Sequence, residues 1–421
     1  MRVCLTTLGS FGDLHPMLGL AHALRRHGHQ PVLATSPVYR EIVEGEGIAF
    51  HGIRPDIQPN DREVIRRVMD RLGGTEALFE MIMPHFRDSY EDLIVASEGA
   101  DVLVTHPITF AGPVIAAQRG VPWVSTVLAP MSFFSVHDFP VLPPAPGVVH
   151  LTERSPMVAR VLGRAARAAT RSWMKPVYDL RSELGLAPGE HPIFEGQHSP
   201  RLVLALFSRV LGEPQPDWPP NVCITGGVRY DEPSAGDAMS PELSAFLDDG
   251  PPPVVFTLGS AAVGAAGSFF EESARVAIAL ERRAVLVVGR YDQNRPKLRL
   301  PDDVFLTEYA PYSQLMPRAA AVVHQGGAGT THQALAAGHP ELIVPFAHDQ
   351  PDNAHRVERL GIAKVIYPGA YRADRVERAL RSLLDEPLFA SRAAIVGEIV
   401  RSERGADAAC EEIERVVMTG G

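Results

Sequence analysis

Cysteine is scarce in this chain. Its three residues, Cys4, Cys223 and Cys410, are far apart and share no metal-ligand spacing. That excludes a disulfide framework and suits a reducing cytoplasm, in which free thiols are small core residues. No apolar run approaches the roughly 20 residues that cross a bilayer. The N-terminus runs straight into Arg2-Val3-Cys4-Leu5-Thr6, a strand pattern in place of a signal segment. A cytoplasmic protein without a membrane span is expected. Positive charge is in deficit, 40 Lys and Arg against 50 Asp and Glu, and there is no basic run. Nucleic acid is therefore a poor partner, and any anionic substrate has to be held by local dipoles.

Apolar residues make up 45% of the 421 residues, enough for two cores at roughly 100–200 residues per domain. Short apolar runs alternate with amphipathic helical stretches, the pattern of an α/β fold with parallel sheets. In the first half the runs are 3–7, 31–35, 49–53, 102–105, 123–128 and 202–207. In the second they are 254–257, 285–288, 304–307, 321–324, 342–345 and 364–366. Helices are expected at 16–27, 113–119, 269–281, 329–337, 350–360 and 375–384, and across about 64–97. A Pro/Gly-rich zone separates the halves. The expected division is an N-terminal domain at 1–212, a linker zone at 213–252, a C-terminal domain at 253–405, and a final helix at 406–421 packing back toward the N-terminal domain. Two such domains facing each other would enclose a cleft at the C-terminal ends of their strands, where open α/β sheets bind ligands.

The strongest chemical signal is Val322-Val323-His324-Gln325-Gly326-Gly327-Ala328-Gly329-Thr330-Thr331. A strand ends, glycines bring the backbone close, and a helix begins, so that free N–H groups and the positive helix end can meet a diphosphate. Thr330 adds a hydroxyl, and His324 is expected to give a ring N–H to a phosphate oxygen. No Walker lysine is present and Gly-x-Gly-x-x-Gly does not occur, so P-loop and dinucleotide readings fail. No Asp-x-Asp lies near this loop, and no metal site is expected.

Downstream, Gly338-His339-Pro340 precedes a strand and then Pro345-Phe346-Ala347-His348-Asp349-Gln350-Pro351-Asp352-Asn353. This segment resembles the C-terminal signature of the family-one UDP-glycosyltransferases, in particular their bacterial natural-product and rhamnosyltransferase branch. The resemblance spans essentially the whole chain and is specific over 305–361 and at the N-terminus. It implies the GT-B fold, with two facing Rossmann-like domains, and a nucleoside-diphosphate sugar as co-substrate with no cofactor. It also implies that His324, Gly326, Gly327, Gly329, Thr330 and Ser260 surround the diphosphate and that Asp349 and Gln350 bind the donor sugar. Tyr309, Ala310 and Tyr312 would form the nucleobase turn, and Gln333 stands where the family has a ribose-binding glutamate. Asp349 is also a suitable N-cap for the helix that follows it.

The N-terminal loop reads Gly9-Ser10-Phe11-Gly12-Asp13-Leu14-His15-Pro16. In the family this loop carries the catalytic base. Asp13 takes the position of the usual histidine, and His106, after the run 102–105, takes that of the aspartate that orients it. The pair thus looks exchanged. The base is Asp13 or His106, with His15 as a third candidate, and Asp13 would equally serve as an N-cap. Phe133 and Phe134 in a proline-rich loop, with Phe110, Met81 and Phe86, are candidates for an apolar acceptor pocket. Met81 and Phe86 also fit a helical core face. These residues imply an inverting, metal-independent transfer of a hexose, UDP-glucose being the first choice over a dTDP-sugar. The acceptor would be a hydroxyl of a lipophilic small molecule such as a phenol, polyketide or hydroxy-fatty acid, and the enzyme a monomer or weak homodimer. The alternatives are a non-catalytic sugar-nucleotide-binding partner and a sugar-nucleotide epimerase of the same fold.

Overall fold

The fully apolar runs form strands buried on both faces, as parallel sheets covered by helices require. The computed structural model describes residues 1–58, 61–231 and 239–418. Seven strands, β1 (Arg2–Thr6), β2 (Gln30–Thr35), β3 (Ala49–Gly52), β4 (Val102–Thr105), β5 (Trp123–Val127), β6 (Val203–Ala205) and β7 (Val222–Ile224), form one sheet in the order β3-β2-β1-β4-β5-β6-β7. Six more, β8 (Val254–Thr257), β9 (Ala284–Val287), β10 (Val304–Thr307), β11 (Ala321–His324), β12 (Glu341–Ile343) and β13 (Ala363–Val365), form a second in the order β10-β9-β8-β11-β12-β13. All pairings are parallel. In each sheet the strand order reverses once, between β1 and β4 and between β8 and β11. Such a reversal is where open α/β sheets characteristically bind ligands.

The chain divides into two units. One comprises Met1–Pro59, Thr75–Tyr230 and Arg404–Gly421, the other Asn60–Gly74 and Asp231–Glu403. In the first unit the helix Phe11–Arg26 buries Leu14, Met17, Leu18, Ala21 and Leu24 against Val3, Leu5 and Leu33 of the sheet. The helix Ala406–Met418 adds Ala409, Cys410 and Ile413 to the same core. Burial of Ile413 and Val416 contributes about 1.5–3 kcal/mol each, so this last helix is held by the first unit. In the second unit, Phe256, Phe270, Val323, Leu342, Val376 and Leu380 close the core.

Four expectations change. The first helix begins at Phe11, not Pro16, because Ser10 and Asp13 form a capping box at its start. The zone 213–252 is more than a linker. It holds β7 of the first sheet and the helix Pro241–Asp248, and the border between the units falls inside it, at Tyr230 and Asp231. Its residues 232–238, like 419–421 of the final helix range, lie outside the described residues. The helical region 64–97 also divides: Arg62–Val68 belongs to the second unit, where Ile65 lies against Gly264, whereas Gly74–Ile82 and Phe86–Ala96 belong largely to the first. Finally, the helices Pro156–Thr170, Lys175–Glu183 and Pro387–Ser402 were not expected.

Candidate active site

β1 and β4 are neighbours in register, Thr6 opposite Thr105, so the loops that follow them lie side by side. His106 is the first residue after β4. Its N–H is held by Thr6 O at 3.0 Å, and its carbonyl accepts the Thr109 hydroxyl at 2.6 Å. Asp13 lies in the first turn of the helix after β1. Its Oδ1 is 3.3 Å from His106 Nε2, while Oδ2 accepts Ser10 N–H at 2.8 Å and Ser10 Oγ–H at 3.1 Å. The structure thus brings Asp13 and His106 together. The Asp13 side chain is 29% exposed and that of His106 6%, so the carboxylate is the accessible member. Burial by itself would raise the Asp13 pKa. The hydrogen bonds and charge from His106 and the bonds from Ser10 outweigh it and hold the carboxyl below its ordinary value of 3.8. Asp13 is not the N-cap. Ser10 is, and Asp13 returns the bond to the Ser10 backbone.

His15 is separated from this pair. Two residues further along the helix, it turns away to pack between Phe11 and Tyr230, with ring centroids 5.4 and 5.1 Å apart. Its Nε2 is buried without a hydrogen-bond partner, and burial lowers its pKa to about 4. This is a half-buried, neutral histidine of the first helix, not a loop residue.

Leu8, Ile53, Ile82, Phe86 and Phe110 belong to one buried apolar core cluster, and the gap among them has room for about one water molecule. Phe110 and Phe86 are corrected as well: both are buried core residues, and Met81 does not line the gap between them. Phe133 is corrected: it is a core residue, stacked on Trp218 at 4.1 Å and packed edge-on against Phe207. Phe134, at φ +47°, turns to a different neighbour, Phe194. The two rings diverge because the left-handed residue ends the short helix Pro130–Phe133.

In the second unit the strand reversal between β8 and β11 places the turn after Thr257 against the loop after His324. Gly259, at φ +62°, approaches so closely that a Cβ there would lie 2.2 Å from Gln325 Nε2 and 3.0 Å from Thr330 Oγ1. Ser260 follows it, exposed. The helix Ala328–Ala337 begins with Gly327 as N-cap and no side chain capping it. Gly329 and Thr330, at its second and third positions, have N–H groups without intrahelical acceptors. No atom of another residue would lie within 4 Å of a Cβ at Gly329. Gly326, at φ +85°, is hemmed in by Ile343 and the Gln350 carbonyl.

His324 is corrected as well. It is completely buried, its Nδ1 accepts Gly326 N–H at 3.1 Å, and its Nε2 lies 2.8 Å from Glu341 Oε2. Since Nδ1 is an acceptor, Nε2 carries the proton and donates it to Glu341. Neither nitrogen has an N–H left for a phosphate; the ring instead fixes the glycine turn. Burial raises the Glu341 pKa, against the opposing bond from His324.

Asp349 is not a side-chain cap of its own helix. Its Oδ2 accepts Ala328 N–H at 3.2 Å and Asn353 Nδ2–H at 2.8 Å, which places the carboxylate at the mouth of the cradle. His348 beside it is held at φ +55°, a costly conformation for a non-glycine residue and one that concentrates at functional sites. Gln350 is turned inward: its Oε1 accepts Phe346 N–H at 2.9 Å, and its Nε2 faces Met69 Sδ at 3.9 Å. In this conformation it braces the loop.

Tyr309 is 36% exposed, and its carbonyl accepts the Thr307 hydroxyl at 2.8 Å. Ala310 is buried in the core. Tyr312 donates or accepts a 2.6 Å bond with Thr257 Oγ1, and burial raises its pKa to about 12. Gln333 donates to Asp231 Oδ1 at 3.3 Å, and Ser313 N–H reaches Asp231 Oδ2 at 3.2 Å. Asp231 and Gln325 were missed as site residues. Asp231 carries no motif and its partners lie about 80–100 residues away. Gln325 stands inside the motif, and its Oε1 is buried without a partner.

Residues 3–131 match the glycosyltransferase family 28 N-terminal domain and residues 278–418 the erythromycin biosynthesis protein CIII-like C-terminal domain. The chain is 33% identical to O-mycaminosyltylonolide 6-deoxyallosyltransferase of Streptomyces fradiae over all of its own length and 98% of that protein. It is 32% identical to glycosyltransferase GtfE of Amycolatopsis orientalis, over 86% of this chain and 85% of the relative. The solved structure of glycosyltransferase VinC in complex with dTDP shares the fold, with a TM-score of 0.70 at 21% identity over 100% of both chains. The chain belongs to the glycosyltransferases of the GT-B fold, in the branch of bacterial natural-product enzymes. Among the described residues, no helix is long and apolar enough to cross a membrane.

Proposed function

We propose that this glycosyltransferase moves a hexose, with inversion, from a nucleoside-diphosphate sugar to a hydroxyl of a lipophilic natural-product acceptor. The observation that carries this reading is the Asp13–His106 pair, a carboxylate held ionised at a strand-order reversal with an imidazole behind it. Asp13, the accessible member, takes the acceptor proton, and His106 Nε2–H steadies the carboxylate. The acceptor oxygen forms its bond to the anomeric carbon as the bond to the diphosphate breaks. Charge then builds on the leaving phosphate, where the free N–H groups of Gly329 and Thr330 and the helix dipole act most strongly. That neutralisation requires no catalytic metal. His324 and Glu341 hold the turn that presents those groups, and Asp349 accepts from the sugar hydroxyls.

A dTDP-sugar is placed ahead of UDP-glucose. The 6-deoxyallosyl relative and the dTDP-bound neighbour support it. The O-mycaminosyltylonolide in the name of the 33%-identical relative supports a natural-product acceptor.

The test is thermal shift of the purified chain with UDP-, dTDP- and GDP-sugars, followed by product analysis with phenolic, polyketide and hydroxy-fatty acid acceptors. A dTDP-sugar is expected to raise the melting temperature most and to yield a glycoside of inverted configuration. Binding without transfer or hydrolysis across all donors would leave a non-catalytic binding partner instead.

A further inference from the structure

The helix Phe11–Arg26 ends at His27, and Gly28, at φ +82°, reverses the chain so that His29 follows on the same side. Both imidazoles meet one carboxylate of the helix Ala406–Met418. His27 Nδ1 is 3.2 Å and His29 Nε2 2.7 Å from Glu414 Oε1. One helical turn before Glu414, the buried thiol of Cys410 lies 3.9 Å from the same oxygen. A ring nitrogen of His27, Cys410 Sγ and a Glu414 oxygen all lie within 4.8 Å of one another. Around a tetrahedral Zn²⁺ with bonds of about 2.0–2.3 Å, neighbouring donor atoms are about 3.2–3.8 Å apart, so small side-chain rotations would bring these three atoms onto one ion. The His27 and Glu414 side chains are each 28% exposed, which leaves an entry path and room for water as a fourth ligand. Asp407, Arg26 and the chain's amino group border the cluster. The sequence hid the arrangement because His27 and Glu414 are 387 residues apart.

We propose that His27, Cys410 and Glu414 bind a borderline-soft divalent transition ion of the Zn²⁺ class, with His29 orienting Glu414, and that the ion clamps the C-terminal helix onto the first unit. The set of one nitrogen, one sulfur and one oxygen donor favours Zn²⁺ or Co²⁺ over Mg²⁺ or Ca²⁺, which prefer all-oxygen sites. Binding converts the Cys410 thiol to a thiolate bonded to the metal and releases its proton to solvent. The role is structural. The site is built only from the end of the first helix and from the last helix, so it stands or falls independently of the transfer reaction.

The test uses the full chain without a histidine tag, reduced, stripped with chelator and titrated with Co²⁺. One equivalent is expected to give the visible bands of tetrahedral cobalt together with a near-ultraviolet thiolate-to-cobalt band, both abolished by Zn²⁺. Cys410→Ser should lose the thiolate band, and His27→Ala and Glu414→Gln should each weaken binding by more than about tenfold. Zn²⁺ should raise the melting temperature of the wild type but not of Cys410→Ser, whose circular dichroism confirms its folding. No saturable binding at one equivalent, or an unchanged spectrum and affinity in Cys410→Ser, would overturn the proposal. In that case the cluster is only an ion-pair contact.

Discussion

Between Phe11 and Tyr230, His15 is held neutral, and burial lowers its pKa from 6.5 to about 4. In the unfolded chain it takes up a proton near 6.5; in the folded chain it does so only near 4. Its contribution to stability is therefore complete above pH 6.5 and is lost as pH falls through the window to about 4. Asp13 carries the same sign, since its folded pKa is depressed: its contribution is present above its ordinary value and lost as pH falls through the folded one. His15→Phe should remove most of the first effect. Between pH 7 and 4.5, the wild type should lose up to about 3 kcal/mol more unfolding free energy in urea than the variant. Equal losses would mean that His15 is not held neutral by the fold.

At the level of elements, two glycines of one loop do different work. Gly326 sits at φ +85° against Ile343 and the Gln350 carbonyl, so Gly326→Ala should cost about 1–2 kcal/mol in backbone strain alone. Gly329 has helical backbone and open space, so Gly329→Ala should keep stability or raise it by up to about 1 kcal/mol. Its methyl group would stand where the diphosphate is proposed to lie, and the donor KM should rise by about tenfold or more. Urea midpoints and donor kinetics on both variants check this; a stability loss in Gly329→Ala with a normal KM would reverse the assignment. Most strands were legible as apolar runs, within two residues at either end, because a strand covered on both faces has few polar positions to blur it. β7 was not, since its three residues stand among prolines and join the sheet edge only through pairing with β6. The Asp13–His106 pair was legible through the family resemblance, and the pairing of β1 with β4 brings the two together. The engagement of His324 was not, because Glu341 belongs to the next strand and meets the ring only once β11 and β12 pair. The divergence of Phe133 and Phe134 rests on a single left-handed residue, which composition does not reveal.

At the scale of the whole molecule, each unit keeps its chemistry at the point where strand order reverses. The first sheet places a carboxylate–imidazole pair there, between β1 and β4, and the second a helix N-terminus, between β8 and β11. The proposed mechanism uses both, a proton acceptor for the incoming hydroxyl and dipoles for the departing diphosphate. Removing the first should slow chemistry and spare donor binding, because Asp13 belongs to the unit that does not carry the cradle. The most direct measurement is turnover of purified Asp13→Asn beside the wild type, with donor affinity read in parallel. A loss of about 10²–10⁴-fold in kcat with donor affinity unchanged is expected of a general base. Near-normal turnover would contradict the assignment of Asp13 as the base.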